Sequence, residues 1–319
     1  MENTKREEVL SVEDLVVSFR MYDKGFRKKN LEVIHSLSLS VEKGEIVAVV
    51  GSSGSGKSVL AHAALGLLPK NAVTAGKISY QGETLTDDLR SRLLGREIAY
   101  IPQSIDYLDP LMKVGHQVQG VYGTRERQQE LFEEFQLPER TEKMYPFQLS
   151  GGMARRVLIS SAIMEQPELI IADEPTPGLD LQMAMETLIH FRNLADQGTA
   201  VLLITHDIDL ALHVADRIAV FYAGTVVEIA PREDFLAGKE ALRHPYSRAF
   251  LDALPQNAFR PIPGTQPYAG NLPSGCLFAA RCPYRDEKCA GEIRLRGRIR
   301  CSLAMGNYLL RKTHRKFKN

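Results

Sequence analysis

The chain has 319 residues, 44% of them hydrophobic, a formal net charge of +1 and four cysteines. That is enough apolar material for one α/β domain of ordinary size plus an extension, and it marks the chain as globular. No uninterrupted apolar run approaches the roughly 20 residues of a membrane helix, and the first residues lack the apolar core of a signal peptide, so a cytosolic protein is expected. The charge is uneven: residues 281–319 hold 12 Lys/Arg against 3 Asp/Glu, leaving 28 against 36 for residues 1–280. A basic tail of this kind suits anionic lipid, nucleic acid, an acidic partner surface or plain solvent.

In chain order, Val9-Leu-Ser-Val-Glu-Asp-Leu-Val-Val-Ser-Phe19 and Leu31-Glu-Val-Ile-His-Ser-Leu-Ser-Leu-Ser-Val41 alternate well enough to predict an antiparallel β layer. The polar, basic residues 20–30 between them read as a hairpin excursion. An aromatic ring at this strand end can stack on adenine, a contact worth about 1–3 kcal/mol by analogy with base–aromatic stacking. Phe19 is the candidate and Tyr22 the reserve; an ordinary core or edge aromatic is the alternative.

Glu45-Ile-Val-Ala-Val-Val50 reads as a buried strand and Val59-Leu-Ala-His-Ala-Ala-Leu-Gly-Leu-Leu68 as a helix. Between them, Gly51-Ser-Ser-Gly-Ser-Gly-Lys57-Ser58 has the form G-x-x-x-x-G-K-[ST] of a phosphate-binding loop. Gly51, Gly54 and Gly56, spaced by Ser52, Ser53 and Ser55, let backbone N–H groups turn toward one point, where the helix start adds partial positive charge. Lys57 is then placed for the β- and γ-phosphates, and the Ser58 hydroxyl for the Mg²⁺ that bridges them.

Gly76-Lys-Ile-Ser-Tyr-Gln81 and Glu97-Ile-Ala-Tyr-Ile-Pro102 read as strands, the second running into Gln103, whose carbonyl oxygen can coordinate Mg²⁺ or order a water. Residues 104–166 turn helical, with Leu131, Phe132 and Phe135 on one face, and read as an insertion. It ends in Gln148-Leu-Ser-Gly-Gly-Met-Ala-Arg-Arg156, where Ser150 precedes Gly151 and Gly152 at a helix start. This is a second anion-binding terminus, and a lone nucleotide does not need two. Glu168-Leu-Ile-Ile-Ala-Asp-Glu-Pro175 is a buried strand ending in adjacent carboxylates, the form of a Walker B site: Asp173 for Mg²⁺ through water, Glu174 for the attacking water. Such carboxylates are costly unless paired or metal-bound. The strand Ala200-Val-Leu-Leu-Ile-Thr205 ends on His206, at a matching terminus.

Taken in order, the phosphate loop, Gln103, Leu149-Ser-Gly-Gly-Met153, Ile170-Ile-Ala-Asp-Glu-Pro175, Gly178-Leu-Asp180 and His206 resemble the ATP-binding subunit of ABC transporters, over about the first 230 residues. The resemblance implies a P-loop NTPase of α/β class, with a mixed core sheet, an antiparallel β subdomain and a helical subdomain at about 104–166. It implies a head-to-tail pair of domains holding two ATP molecules between the phosphate loop of one and the Ser150-Gly151-Gly152 loop of the other. Glu174 becomes the general base or water-positioning group, His206 the contact to the γ-phosphate, Asp180 the link across the dimer, and Gln103 the link from Mg²⁺ to the helical insertion. Met153 and Pro177-Gly178 depart from the commoner family residues at their positions.

Tyr107-Leu-Asp-Pro-Leu-Met-Lys-Val-Gly-His-Gln117, His244-Pro-Tyr-Ser-Arg-Ala-Phe250, Pro261-Ile-Pro-Gly264 and Leu272-Pro-Ser-Gly-Cys276 are similar to segments of dipeptide, oligopeptide and nickel importers. This branch implies an ATPase domain over 1–255 and a C-terminal extension over 256–319. The partners it implies are a second, paralogous ATPase, two polytopic membrane permeases and an extracytoplasmic binding protein, with the chain peripheral on the cytoplasmic face of the membrane. Peptide uptake is the first reading and nickel or metal–opine uptake the second.

Cys276, Cys282, Cys289 and Cys301 have no C-x-x-C knuckle, but Cys282-Pro283 is similar to the end of an iron–sulfur run. Some peptide-importer ATPases of this type carry a [4Fe–4S] cluster on a matching set, so the resemblance implies one here, with Zn²⁺ or unligated thiols as alternatives. No nucleic acid is expected. Outside transport stand a soluble ABC ATPase acting on ribosomes or DNA, and a P-loop kinase or GTPase, which leaves Ser150-Gly151-Gly152 unexplained.

Overall fold

The computed structural model describes residues 7–22 and 28–302. Both N-terminal strands form and run further than their apolar alternation: β1 Glu8–Tyr22 pairs antiparallel with β2 Lys28–Glu42, from Glu8 opposite Glu42 to Tyr22 opposite Lys28. The predicted excursion over residues 20–30 is therefore corrected at residues 20–22 and 28–30, which belong to the two strands, and residues 23–27 lie outside the described residues. The polar side chains of Arg20, Lys29 and Asn30 mark an exposed ladder rather than a loop, since an antiparallel pair can face water.

β3 Ile46–Val50 is buried at every position, as a β-branched run between two neighbouring strands requires. α1 Lys57–Leu65 starts earlier than its apolar pattern, because Gly56 at φ 104° turns the phosphate loop straight into the helix. β4 Ala72–Tyr80 and the short β5 Glu83–Thr84 complete a four-stranded sheet in the order β2-β1-β4-β5. α2 Asp87–Leu93 is capped by Thr86, and β6 Ile98–Ile101 leads into the helical insertion, α3 Val114–Gln119, α4 Arg125–Glu134 and α5 Gly151–Ile163.

The chain then alternates β7 Leu169–Asp173, α6 Leu181–Asp196, β8 Ala200–Thr205, α7 Ile208–Val214, β9 Arg217–Tyr222 and β10 Thr225–Pro231, before α8 Arg232–Leu236 and α9 Pro245–Asp252. The second sheet has the order β10-β9-β3-β8-β7-β6, parallel except where β10 turns back on β9. Alternate strand residues serve two cores: Val47, Val49, Leu202 and Ile204 pack toward β1 and β2, while Ala48, Val50, Val201 and Leu203 pack toward the helical insertion. No helix among the described residues is long and apolar enough to cross a membrane.

Among its described residues the extension has little regular structure and is anchored by its contacts. Buried Phe278 meets the rings of Tyr222 and Tyr246 at 5.4 Å and that of His244 at 6.0 Å. The Ile229 N–H donates to the Arg298 carbonyl (2.8 Å) and the Arg300 N–H to the Val227 carbonyl (2.9 Å), so residues 298–300 run along the free edge of β10.

His244, capping α9, is sealed between core and extension. Its Nδ1 accepts the Tyr246 N–H at 3.0 Å, which requires a neutral ring, and burial pushes its pKa from 6.5 down to about 3. Below about pH 6.5 the unfolded chain takes up a proton that the fold refuses, so stability present above that pH is lost as pH falls toward 3. His244→Asn is expected to lessen this acid slope by about 1.4 kcal/mol per pH unit, read as the wild-type minus variant difference in urea unfolding.

Candidate functional site

Strand register gathers the site. Val50 lies opposite Thr205, Asp173 opposite Ile204, and Ile101 opposite Ala172. The phosphate loop, Glu174, His206 and Gln103 therefore leave the sheet along one edge, at the carboxyl ends of parallel strands, where α/β sheets bind ligands.

Within the loop Lys57 is buried, and its Nζ donates to the carbonyls of Gly51 (2.9 Å) and Ser52 (3.1 Å). Burial lowers its pKa, against the charges of Glu174 and Asp173, which raise it. A Cβ at Gly51 would collide with the Phe221 carbonyl, and Gly54, at φ +73°, faces open space, as a backbone cradle for an anion must. Ser52 and Ser53 are exposed, Ser55 buried and Gly56 half-buried.

Asp173 is 1% exposed, its Oδ1 has no hydrogen-bond partner among the described residues, and Ser58 hydrogen-bonds the carboxyl group. Burial is the main force raising its pKa. A hydroxyl and an unpartnered carboxylate oxygen beside a phosphate cradle fit a hard divalent cation such as Mg²⁺. Glu174, 7% exposed, stands just off the strand at φ 50°, with its N–H on the Ile204 carbonyl (2.8 Å) and Oε2 2.7 Å from His206 Nδ1. Left-handed backbone at a non-glycine residue costs on the order of 1–3 kcal/mol and clusters at working sites.

The second cradle is separate. Ser150 caps α5 and accepts the Met153 N–H at 3.3 Å, Gly151 faces open space, and Gly152 lies against Gly178 and Leu179. Exposed Asp180 caps α6 through the Met183 N–H at 2.9 Å. Among the described residues, nothing in Ser150-Gly151-Gly152 hydrogen-bonds the phosphate loop. Phe19 is half-buried against the β-layer core, whereas Tyr22 is 70% exposed.

Sequence reading missed Arg155. It is buried with no carboxylate partner among the described residues, and its guanidinium donates to the carbonyls of Pro102 (2.7 Å) and Gln103. Gln103 itself is exposed, on a backbone that α5 holds. The available signal was position: Arg155 precedes buried Leu158 and Ile159 by three and four residues, which places it on the core face of α5.

The four cysteines expected as a metal set lie near one another. The Cys276 N–H donates to the Cys289 carbonyl at 2.9 Å, and the cysteines act electrostatically on one another. Yet among the described residues no three His, Cys, Asp or Glu side chains converge as a metal site. Burial pushes the Cys276 thiol up to about 11 and raises Cys282, favouring neutral thiols, while Cys289 Sγ contacts Asp286 and Ser302 at 3.4 Å.

Comparison with known proteins agrees with this geometry. Residues 34–177 match the family described as ABC transporter, and residues 227–289 match the oligopeptide/dipeptide transporter C-terminal region. The dipeptide transport ATP-binding protein DppD of Escherichia coli (strain K12) is 37% identical over 306 residues, covering 89% of this chain and 91% of that protein. DppD of Bacillus subtilis (strain 168) is 35% identical, covering 89% of each. Among solved structures, the dimeric ABC transporter cassette MJ0796 is 25% identical with a TM-score of 0.62, over 70% of this chain and 98% of that one. A post-hydrolysis dimer of the same cassette, bound to ADP and Pi, is equally similar. With its phosphate loop, paired carboxylates and C-terminal extension in place, the chain belongs to the ABC transporter ATP-binding proteins, in the dipeptide and oligopeptide transport family.

Proposed function

We propose that this chain hydrolyses ATP to drive import of dipeptides or oligopeptides through partner membrane subunits. The observation that carries the reading is the convergence of Lys57, Asp173, Glu174 and His206 on one sheet edge beside an open glycine cradle. Lys57 exchanges the Gly51 and Ser52 carbonyls for phosphate oxygens, while the loop N–H groups receive the rest of the anion and Phe19 stacks on the base. Ser58, Asp173 and Gln103 would hold Mg²⁺, which would offset the charge on the phosphates. Glu174 takes the proton of the attacking water, and His206, hydrogen-bonded to Glu174 Oε2, holds that carboxylate in place and meets the γ-phosphate.

The detached second cradle supports an ATP sandwich in which Ser150, Gly151 and Gly152 close on a partner ATPase, with Asp180 at the junction. That partner is a paralogue in this reading, and an extracytoplasmic binding protein delivers substrate to two permeases. The helical insertion exposes Tyr107, Leu111, Met112, Val121, Tyr122 and Phe147, apolar surface suited to a membrane subunit at the cytoplasmic face. An iron–sulfur or zinc group on Cys276, Cys282, Cys289 and Cys301 has sequence resemblance and proximity as its support, and no step runs through it.

Three measurements on the purified transporter bear on these roles. Glu174→Gln is expected to lower phosphate release by about 10²–10⁴-fold while ATP still binds; wild-type turnover in that variant removes Glu174 from its role. Arg155→Met, which strands the Pro102 and Gln103 carbonyls, is expected to raise the Mg²⁺ concentration for half-maximal ATPase activity by about 10-fold. Anaerobic metal analysis is expected to find about four iron per chain; zinc alone, or no metal, ends the cluster reading.

A further inference from the structure

The stretch between α9 and the cysteines reaches back to the nucleotide site. Ser52 Oγ in the phosphate loop donates to Gln266 Oε1 at 3.2 Å, and the same hydroxyl interacts with the phenol of buried Tyr246. Further along, the Gly270 carbonyl accepts from Lys29 Nζ at 3.2 Å, on β2 beside the Phe19–Leu31 pair. Residues 264–270 thus run from the phosphate loop to the end of the β layer where the adenine is expected.

The base of this segment is pinned. Arg281 donates to the carbonyls of Pro263 (2.8 Å) and Ile262 (2.9 Å) and to the Tyr222 hydroxyl (3.3 Å), and its guanidinium stands 5.9 Å from the rings of Tyr222 and Phe278. Gly264, at φ +76°, turns the chain against the Arg281 stem. Gln266 is half-buried and held at a defined place rather than carried on a free loop.

We propose that Gln266 is a positioning residue of the ATP site, and that residues 264–270 act as a strap that orders the outer turn of the phosphate loop. The proposal rests on the ATPase reading above. A loop containing Gly51, Gly54 and Gly56 loses much backbone freedom when it closes on an anion, and ordering it beforehand lowers that cost. Before nucleotide arrives, Lys57 holds the Gly51 and Ser52 carbonyls from inside and Gln266 holds the Ser52 side chain from outside. Once Lys57 transfers to phosphate, the outer hold, shared with Tyr246, is what keeps Ser52 in register. The strap therefore acts on affinity for ATP and ADP alike and leaves the hydrolytic step alone.

The test is a double-mutant cycle on the full chain in its transporter complex. Gln266→Ala, Ser52→Ala and the double variant are compared by the KM and kcat of ATP hydrolysis and by calorimetric titration with ATP and with ADP. Gln266→Ala is expected to raise KM and both dissociation constants about 2- to 10-fold, with kcat within about twofold of wild type. In the Ser52→Ala background it is expected to add nothing further, since the bond is already gone. Unchanged affinity, multiplying effects, or a fall in kcat at constant KM each overturn the strap. Should Gln266→Ala fail to fold, Ser52→Ala removes the same bond from the other side, and unchanged affinity in that variant is equally fatal. A wild-type complex that binds no ATP overturns the ATPase reading itself; normal wild-type binding with a silent Gln266→Ala overturns the strap alone.

Discussion

Asp173 is kept from water with one carboxylate oxygen that no donor reaches, and the neighbouring groups make sense as a response to that condition. A buried anion is costly unless paired, and here the pairing is deliberately partial: a serine hydroxyl on the carboxyl, a lysine ammonium nearby, and one coordination direction left open. Strand order does the rest. Because β8 separates β3 from β7, His206 emerges between the phosphate loop and the carboxylates, within reach of Glu174. The parallel core supplies positions, and the chemistry follows from which side chain each strand ends on.

Two parts of the molecule outside that sheet grip it. From one side Arg155 ties the backbone of Pro102 and Gln103 to the helix that begins at Ser150, so the exposed glutamine travels with the helical insertion. From the other side the extension docks Phe278 between Tyr222 and Tyr246 and sends Gln266 to the phosphate loop. A buried guanidinium answered by carbonyls alone is a stiff coupling, since neither group can be left bare without loss.

The core strands were legible because fully buried parallel strands read as continuous apolar runs, as in Ile46–Val50 and Leu169–Asp173. The carboxylates and the phosphate loop were legible because each lies within a short stretch of chain. Arg155 escaped notice because a charged side chain on a core face contradicts the pattern that identifies the face. Gln266 did so because its contact with Ser52 spans 214 positions, and no local pattern records a partner that distant. The cysteines come together as their clustering in the sequence suggested, but their spacing carries no sign of burial, which favours neutral thiols at Cys276 and Cys282. The ladder through Arg20 and Tyr22 was lost because polarity was read as a loop where it marks an exposed face.

β10 is the last strand of its sheet, and its outer row of N–H and C=O groups is met by residues 298–300 of the extension. An uncovered strand edge is a template on which another chain can build. A cassette shortened before that cover would keep the side chains at the ends of β3, β7 and β8 and bare a sticky flank, so clumping of folded molecules is the hazard that the C-terminal segment holds off.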